Sequence, residues 1–82
     1  MTVVTVYMRP GCHLCEEAVE ALIGLHGAGY RFELHEVDIE SEELLLRRML
    51  EKIPVVEIDG EQVSELVLDE AAVRARLDTV GP

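Results

Sequence analysis

The sequence predicts an α/β domain in which a four-stranded mixed sheet packs against three helices, in the order β-α-β-α-β-β-α. Two observations lead to this prediction. Apolar runs rich in β-branched residues alternate with segments whose apolar residues recur at helical spacing. In addition, an Asp59-Gly60 pair between two short strand-like segments predicts a closing hairpin. With 82 residues and no linker or repeat, the chain is expected to form a single domain over residues 1–82.

The first strand and the first helix are predicted on either side of a turn. Residues 2–7 are β-branched and nearly all apolar, which is typical of an interior parallel strand covered on both faces. A Pro-Gly pair ends this strand, and a helix is predicted from Cys12 or His13 to about Leu25, where glycines stop it. The apolar stripe of this helix comprises Cys15, Ala18, Val19, Leu22 and Leu25.

Residues 30–39 are predicted to form the second strand, parallel to the first because a helical crossover connects them. The apolar residues change parity midway: Phe32 and Leu34 share one side, and Val37 and Ile39 share the other. A bulge or a change of cover is therefore expected in this strand.

The second helix is predicted to open at Ser41 and to break at Ile53-Pro54. Acidic residues occupy its first turn and basic residues its end, which matches the helix dipole. Its apolar residues are expected to cover a wide face, and they are Leu44, Leu45, Leu46, Met49 and Leu50. The basic residues are Arg47, Arg48 and Lys52.

The last third of the chain is predicted to form a hairpin and a helix. Residues 55–58 and 62–66 flank the Asp-Gly pair as two strands. Asp69 is the predicted N-cap of the last helix, and Leu68 and Val73 are placed as a hydrophobic staple. The core side of this helix is expected to carry Val73, Leu77 and Val80.

The charge balance of the chain limits its partners. Seven Lys and Arg stand against 17 Asp and Glu, for a net charge of −10. Such a surface argues against binding to nucleic acid and to anionic membranes. The first residues lack the basic region of a signal peptide, and no apolar run approaches the ~20 residues of a transmembrane helix. A cytoplasmic monomer is expected.

Cys12 and Cys15 are the only cysteines, and they lie where the first strand gives way to the first helix. The free N–H groups and the dipole at a helix N-terminus stabilise a thiolate, so the pKa of a cysteine there can fall well below the usual value of about 8.5. The second cysteine lies one turn later, near enough to close a disulfide. The sequence therefore predicts a redox-active dithiol.

The cysteine pair has two other interpretations. Burial as small apolar side chains suits Cys15 but not Cys12, which follows a turn at the surface. Zinc requires four ligands, whereas His13 is expected to face away from the pair, and His26 and His35 lack ligand spacing. A metal or iron–sulfur carrier would therefore use the cysteine pair across a dimer or with an external thiol.

Three features together resemble the glutaredoxin-like family of the thioredoxin superfamily. They are the order of the elements, the Arg-Pro-Gly-Cys-His-Leu-Cys segment at residues 9–15, and the tripeptide Ile53-Pro54-Val55. The resemblance covers essentially the whole chain and implies the minimal thioredoxin fold. It also implies a thiol-disulfide oxidoreductase that reduces protein or small-molecule disulfides, with Cys12 as the nucleophile and Cys15 as the resolving cysteine.

The resemblance further implies a set of residues that support the dithiol. Arg9 matches the family's basic residue ahead of the nucleophile, and it either pairs with the Cys12 thiolate or a substrate carboxylate or is simply solvated. Pro54 matches the family's cis-proline, which would leave the backbone of Ile53 free to pair with an extended substrate or with glutathione. The predicted site is completed by Pro10, Gly11 and His13, whose imidazole either favours the thiolate or is simply solvated.

The chain also departs from the family's pattern. His-Leu separates the cysteines in place of Pro-Tyr or Gly-Pro, and the glycine pair that helps to hold glutathione is replaced by residues 64–68. Within that segment, Glu65 would place a negative charge near the carboxylate of the tripeptide. No bound cofactor is expected. Glutathione stays a candidate reductant, and the alternative is a dedicated redoxin electron donor that thioredoxin reductase recycles.

Overall fold

The computed structural model describes residues 1–79, and the elements follow the predicted order. Strands β1 (Val3–Met8), β2 (Glu33–Asp38), β3 (Val55–Ile58) and β4 (Glu61–Ser64) form one sheet in the order β2-β1-β3-β4. β1 is parallel to β2 and antiparallel to β3, which in turn is antiparallel to β4. The helices are α1 (His13–Gly27), α2 (Glu43–Met49) and α3 (Glu70–Thr79), with a 3-10 helix at Ile39–Ser41. The predicted mixed sheet with three helices is confirmed.

Two apolar clusters hold the helices on the sheet. The larger cluster joins α1 and α3 to β1 and β3, and its buried members are Val4, Val6, Leu22, Leu25, Phe32, Val56, Ile58, Val73 and Leu77. The smaller cluster consists of Cys15, Ile39 and Ile53, with side chains of α2 packed against it. Val80, a predicted core residue, lies outside the described residues. Because Val6 belongs to the larger cluster and Tyr7 packs against the smaller one, the two clusters cover opposite faces of β1.

Helix α1 forms as its apolar periodicity predicts. The predicted stripe is buried at Cys15, Ala18, Leu22 and Leu25 and partly buried at Val19. Since Cys15 comes from the first turn, α1 contributes to both clusters and fixes the cysteine pair to the end of the sheet.

Strand β2 is shorter than predicted and contains no bulge. Its parallel pairing with β1 runs from Val3↔Glu33 to Met8↔Asp38 without a shift in register. The change in parity reflects a change of cover instead, because Leu34 packs against the larger cluster whereas Ile39, now in the 3-10 helix, belongs to the smaller one. The irregularity in the sheet lies in the pairing of β3 with β4.

Helix α2 is also shorter than predicted, and the expectation of a wide apolar face is wrong. Leu44 is 71% exposed and Leu50 is 44% exposed. The side chains that pack inward are Leu45, Leu46 and Met49. The 3-10 helix delays the start of α2, and the N–H groups of Lys52 and Ile53 both donate to the Met49 carbonyl, at 2.8 and 3.1 Å, which closes the helix before Pro54.

The hairpin between β3 and β4 forms at the predicted pair of residues. Asp59 has φ 50° and Gly60 has φ 86°, as the two central residues of a type I′ turn require. The hairpin is also tied to β1, because the Asp59 carboxylate accepts the Val3 N–H at 2.9 Å and the Asp59 N–H donates to the Val3 carbonyl at 2.8 Å. β4 ends at Ser64, two residues earlier than predicted, because Leu66 turns to φ 66°.

Helix α3 begins with the predicted cap. The Asp69 carboxylate accepts the Ala72 N–H at 3.0 Å, and Leu68 packs against the cluster that contains Val73. Ser64, the buried polar residue at the end of β4, supports the same turn because its hydroxyl accepts the Asp69 N–H at 2.9 Å.

Candidate active site

A tight turn connects β1 to α1 and places the first cysteine. The Arg9 carbonyl accepts the Cys12 N–H at 3.3 Å, so residues 9–12 form a β-turn. Pro10 occupies the second position and Gly11 the third, with φ 79° at the glycine. This arrangement is that of a type II turn, in which a positive φ at the third position favours glycine. The Pro-Gly pair thus delivers Cys12 directly to the start of the helix.

Cys12 is the N-cap of α1. Its backbone is extended, with φ −88° and ψ 105°, and its Sγ accepts the N–H of Cys15 at 3.2 Å. This N–H is one of the amides at a helix N-terminus that have no partner within the helix. A thiolate at the same position would accept a stronger, charge-assisted hydrogen bond and would gain from the helix dipole. The local geometry therefore favours a negatively charged sulfur at residue 12.

Cys12 and Cys15 form a disulfide, with their Cα atoms 5.2 Å apart. The two sulfurs have different surroundings. Cys15 is fully buried in the smaller cluster, whereas Cys12 is partly exposed at its margin. An incoming reactant can therefore reach Cys12 but not Cys15.

The peptide bond between Ile53 and Pro54 is cis, and the structure brings this segment to the cysteine pair. Ile53 lies in the same cluster as Cys15, and Pro54 is buried. The expectation of a free Ile53 backbone is wrong for its N–H, which donates to the Met49 carbonyl at 3.1 Å as α2 ends. Outside the regular helix and strand pairing of residues 1–79, no backbone N–H donates to the Ile53 carbonyl.

Arg9 lies at the site, but its guanidinium contacts a residue that the sequence did not indicate. Its Nη2 is 2.8 Å from Oε2 of Glu40, in the 3-10 helix that follows β2. Arg9 therefore pairs with a carboxylate of the chain itself. The predicted topology could have indicated this contact. Parallel strands end at the same edge of a sheet, so the residues that follow β1 and β2 become neighbours.

The histidines occupy three separate places. The His13 side chain is 85% exposed, with Nε2 3.4 Å from Oε2 of Glu17 on the next turn. His26, at the end of α1, packs its ring edge-to-face with that of Phe32. On β2, Nε2 of His35 lies 3.6 Å from Oε2 of Glu33. Within residues 1–79, no group of three or more His, Cys, Asp or Glu side chains could hold a metal ion.

A tyrosine and a glutamate that sequence reasoning did not single out are in contact on the face of the sheet that the smaller cluster covers. The Tyr7 hydroxyl donates to Oε1 of Glu57 at 3.2 Å, across β1 and β3. Burial raises the pKa of Tyr7, and the negative charge and hydrogen bond of Glu57 raise it further, against a smaller opposing effect of Arg48. Finding this pair requires the register of two strands that lie far apart in sequence.

Some apolar side chains near the site and in the loop after β4 are exposed. Leu14, between the cysteines, is 44% exposed, and Leu66 and Val67, in the loop after β4, are 50% and 67% exposed. The loop of Leu66 is joined to the segment before Pro54, because the Leu66 N–H donates to the Lys52 carbonyl at 2.9 Å.

The comparison with family models decides the relationship of the chain to known proteins. The model of the Glutaredoxin-like domain (DUF836) matches residues 3–78. The chain belongs to this family. No protein of curated function matches the glutaredoxin-like chain.

None of the helices in residues 1–79 is long and apolar enough to span a membrane.

Solved structures share the fold of the chain. The solution structure of protein Ne2328 from Nitrosomonas europaea has 31% identity and a TM-score of 0.78, with 92% of this chain and 89% of that chain covered. A structural genomics target protein, XcR50, from X. campestris has 31% identity and a TM-score of 0.71, covering 93% and 96% of the two chains. A thioredoxin mutant from Halobacterium salinarum has 20% identity, a TM-score of 0.67, and coverage of 95% and 73%. The glutaredoxin-like chain thus has the thioredoxin fold that its sequence predicts.

Proposed function

We propose that this protein is a thiol-disulfide oxidoreductase that reduces disulfides of proteins or small molecules through Cys12 and Cys15. The observation that carries the proposal is the contact in which Sγ of the partly exposed Cys12 accepts the N–H of Cys15 at the start of α1. This contact stabilises a thiolate at the sulfur that a substrate can reach. The fully buried Cys15 is held within one helical turn of it.

The proposed reaction has two exchange steps. The Cys12 thiolate attacks one sulfur of the substrate disulfide, forming a mixed disulfide and releasing the first substrate thiolate, which takes up a proton. Cys15 then loses its proton and attacks Cys12 Sγ, and the second substrate thiol leaves. The substrate gains two electrons, and the dithiol is oxidised to the disulfide seen between Cys12 and Cys15.

Several features of the surroundings support this division of roles. Ile53 packs in the same cluster as Cys15, and its backbone, next to the buried Pro54, is where we propose that an extended substrate aligns. The partners we propose are a disulfide-bearing protein or small thiol compound and a separate source of electrons. A monomer in a reducing cytoplasm suits a chain whose two cysteines serve exchange chemistry.

Replacing each cysteine by serine tests the assignment. Reduced wild-type protein is mixed with hydroxyethyl disulfide, and the products are identified by mass spectrometry after acid quenching. The wild type is expected to form the internal disulfide. Cys15→Ser should stop at a stable adduct on Cys12, since the resolving sulfur is gone. Cys12→Ser should react no faster than a free thiol, because its remaining cysteine is buried. An adduct on Cys15 of Cys12→Ser at the wild-type rate would reverse the assignment.

A second candidate, a redoxin electron donor that thioredoxin reductase recycles, is favoured by one observation. Arg9, which could otherwise hold a carboxylate of glutathione, is paired with Glu40 at 2.8 Å. Oxidised protein should then be reduced faster by NADPH and thioredoxin reductase than by millimolar glutathione with glutathione reductase. Faster recycling by glutathione would exclude the redoxin candidate and leave the general oxidoreductase.

A further inference from the structure

The cation closest in sequence to the nucleophile is held by a carboxylate from another element. Arg9 begins the turn whose last residue is Cys12, and the hydrogen bond from the Cys12 N–H to the Arg9 carbonyl fixes the backbone between them. The Arg9 side chain is 39% exposed, and its Nη2 lies 2.8 Å from Oε2 of Glu40, whose side chain is 41% exposed.

Glu40 is positioned by its own local structure. The Asp38 carboxylate accepts the Glu40 N–H at 2.8 Å, which caps the 3-10 helix, and the neighbouring Ile39 is fully buried. β1 and β2 end in register at Met8 and Asp38, so the backbones that carry Arg9 and Glu40 leave the sheet side by side. The Arg47–Glu43 pair of α2 is different, because both side chains are more than 70% exposed (72% and 74%) and both belong to one helix.

We propose that Glu40 is a specificity-determining residue for the dithiol, and the inference rests on the function proposed above. By occupying Arg9, Glu40 makes the approach to Cys12 unfavourable for anionic disulfides. A substrate carboxylate that would bind Arg9 must first displace Glu40, and it also meets the negative charge of Asp38. Neutral and cationic disulfides meet no such competition.

The expected size of the effect follows from the exposure of the pair. Ion pairs at a surface contribute about 0.2–1 kcal/mol, which corresponds to a change of roughly 1.4- to fivefold in a rate or an equilibrium. Because the side chains of Arg9 and Glu40 are only 39% and 41% exposed, we expect the upper part of this range, so that removing the Glu40 charge raises the preference for anionic over cationic disulfides by about two- to fivefold.

Single-turnover oxidation tests the proposal without any recycling enzyme. Reduced protein is mixed with glutathione disulfide, hydroxyethyl disulfide or cystamine, which are anionic, neutral and cationic, and the formation of the internal disulfide is followed after alkylation. The ratio of the second-order rate constants for glutathione disulfide and cystamine is compared among wild type, Glu40→Gln and Glu43→Gln. The two variants lose the same charge from an arginine pair, so the Glu43 variant is the matched control.

Glu40→Gln should raise this ratio by two- to fivefold and Glu43→Gln by much less, and the difference should shrink in 0.5 M salt. In an Arg9→Gln background, Glu40→Gln should have little further effect. An unchanged ratio in Glu40→Gln, an equal rise in Glu43→Gln, or a full rise without Arg9 would each overturn the proposal. If wild type reacts with none of the three disulfides, the proposed function fails, and this inference fails with it.

Discussion

At the residue scale, the chemistry depends on the different surroundings of two identical thiols. Cys12 takes the position of a helix cap and keeps part of its surface in water, whereas Cys15 lies one turn later within an apolar cluster. The helix start stabilises charge at the first sulfur, and burial opposes charge at the second. One turn of helix thus separates a sulfur suited to be the nucleophile from one suited to resolve the mixed disulfide.

The contact of Tyr7 with Glu57 leads to a prediction about the pH dependence of stability. The pKa of Tyr7 is raised above its ordinary value of 10.0 by burial and by Glu57. As the pH rises past 10.0, the unfolded chain loses the tyrosine proton while the folded chain keeps it, so the free energy of unfolding falls until the folded pKa is passed. The stabilisation is complete below this range and lost above it.

Urea unfolding of the oxidised protein between pH 8 and 11 measures this effect. Tyr7→Phe should cost about 1 kcal/mol at pH 8, for the lost hydrogen bond, and should then show a shallower decline above pH 10 than wild type. Tyr30→Phe, which leaves the Tyr7 hydroxyl on Glu57, is the control. Parallel pH profiles for wild type and Tyr7→Phe would show that Tyr7 has no part in the decline.

At the scale of elements, each end of a helix is set by particular hydrogen bonds. The start of α3 is held by the Asp69 carboxylate, which accepts the Ala72 N–H, and by the Ser64 hydroxyl, which accepts the Asp69 N–H. Because α3 supplies Val73 and Leu77 to the larger cluster, fraying at its start would also loosen the packing on the sheet.

Asp69→Ala should lower the free energy of unfolding by about 1 kcal/mol, the usual cost of losing an N-cap. Asp78→Ala is the matched control, because Asp78 is exposed in the last turn of the same helix, where a negative charge opposes the dipole. Chemical denaturation monitored by circular dichroism compares the two variants. Equal losses of stability would mean that the cap is dispensable.

The elements also show which features a sequence can predict. The start of α1, the Asp59-Gly60 turn and the Asp69 cap each depend on a few adjacent residues, and all were predicted correctly. The end of α2 could not be predicted, because Met49 accepts two N–H groups from a loop whose path is set by its entry into β3. The Arg9–Glu40 pair likewise depends on two strands meeting at one edge of the sheet.

At the scale of the whole molecule, a chain of 82 residues has a small core, and the larger of the two clusters described above holds most of its buried apolar side chains. Leu22 of α1 is fully buried there, whereas the next residue, Ile23, is 57% exposed. Domains of this size are stable by about 5–15 kcal/mol, so one well-packed leucine is a substantial part of the total.

Leu22→Ala should lower the free energy of unfolding by about 2–5 kcal/mol, since it removes packed methyl groups and leaves a cavity. Ile23→Ala removes a side chain of similar volume from the same helix and should change stability by less than about 0.5 kcal/mol. Thermal and urea unfolding of both variants measure the difference. Similar effects of the two substitutions would contradict the burial pattern of α1.

The two hydrogen bonds between Asp59 and Val3 join the beginning of the central strand to a turn far along the chain. An opening that separates the start of β1 from this turn breaks both bonds, because Asp59 binds both the N–H and the carbonyl of Val3. In hydrogen–deuterium exchange, the amides of Val3 and Asp59 should therefore become labelled together, as parts of one cooperative opening unit.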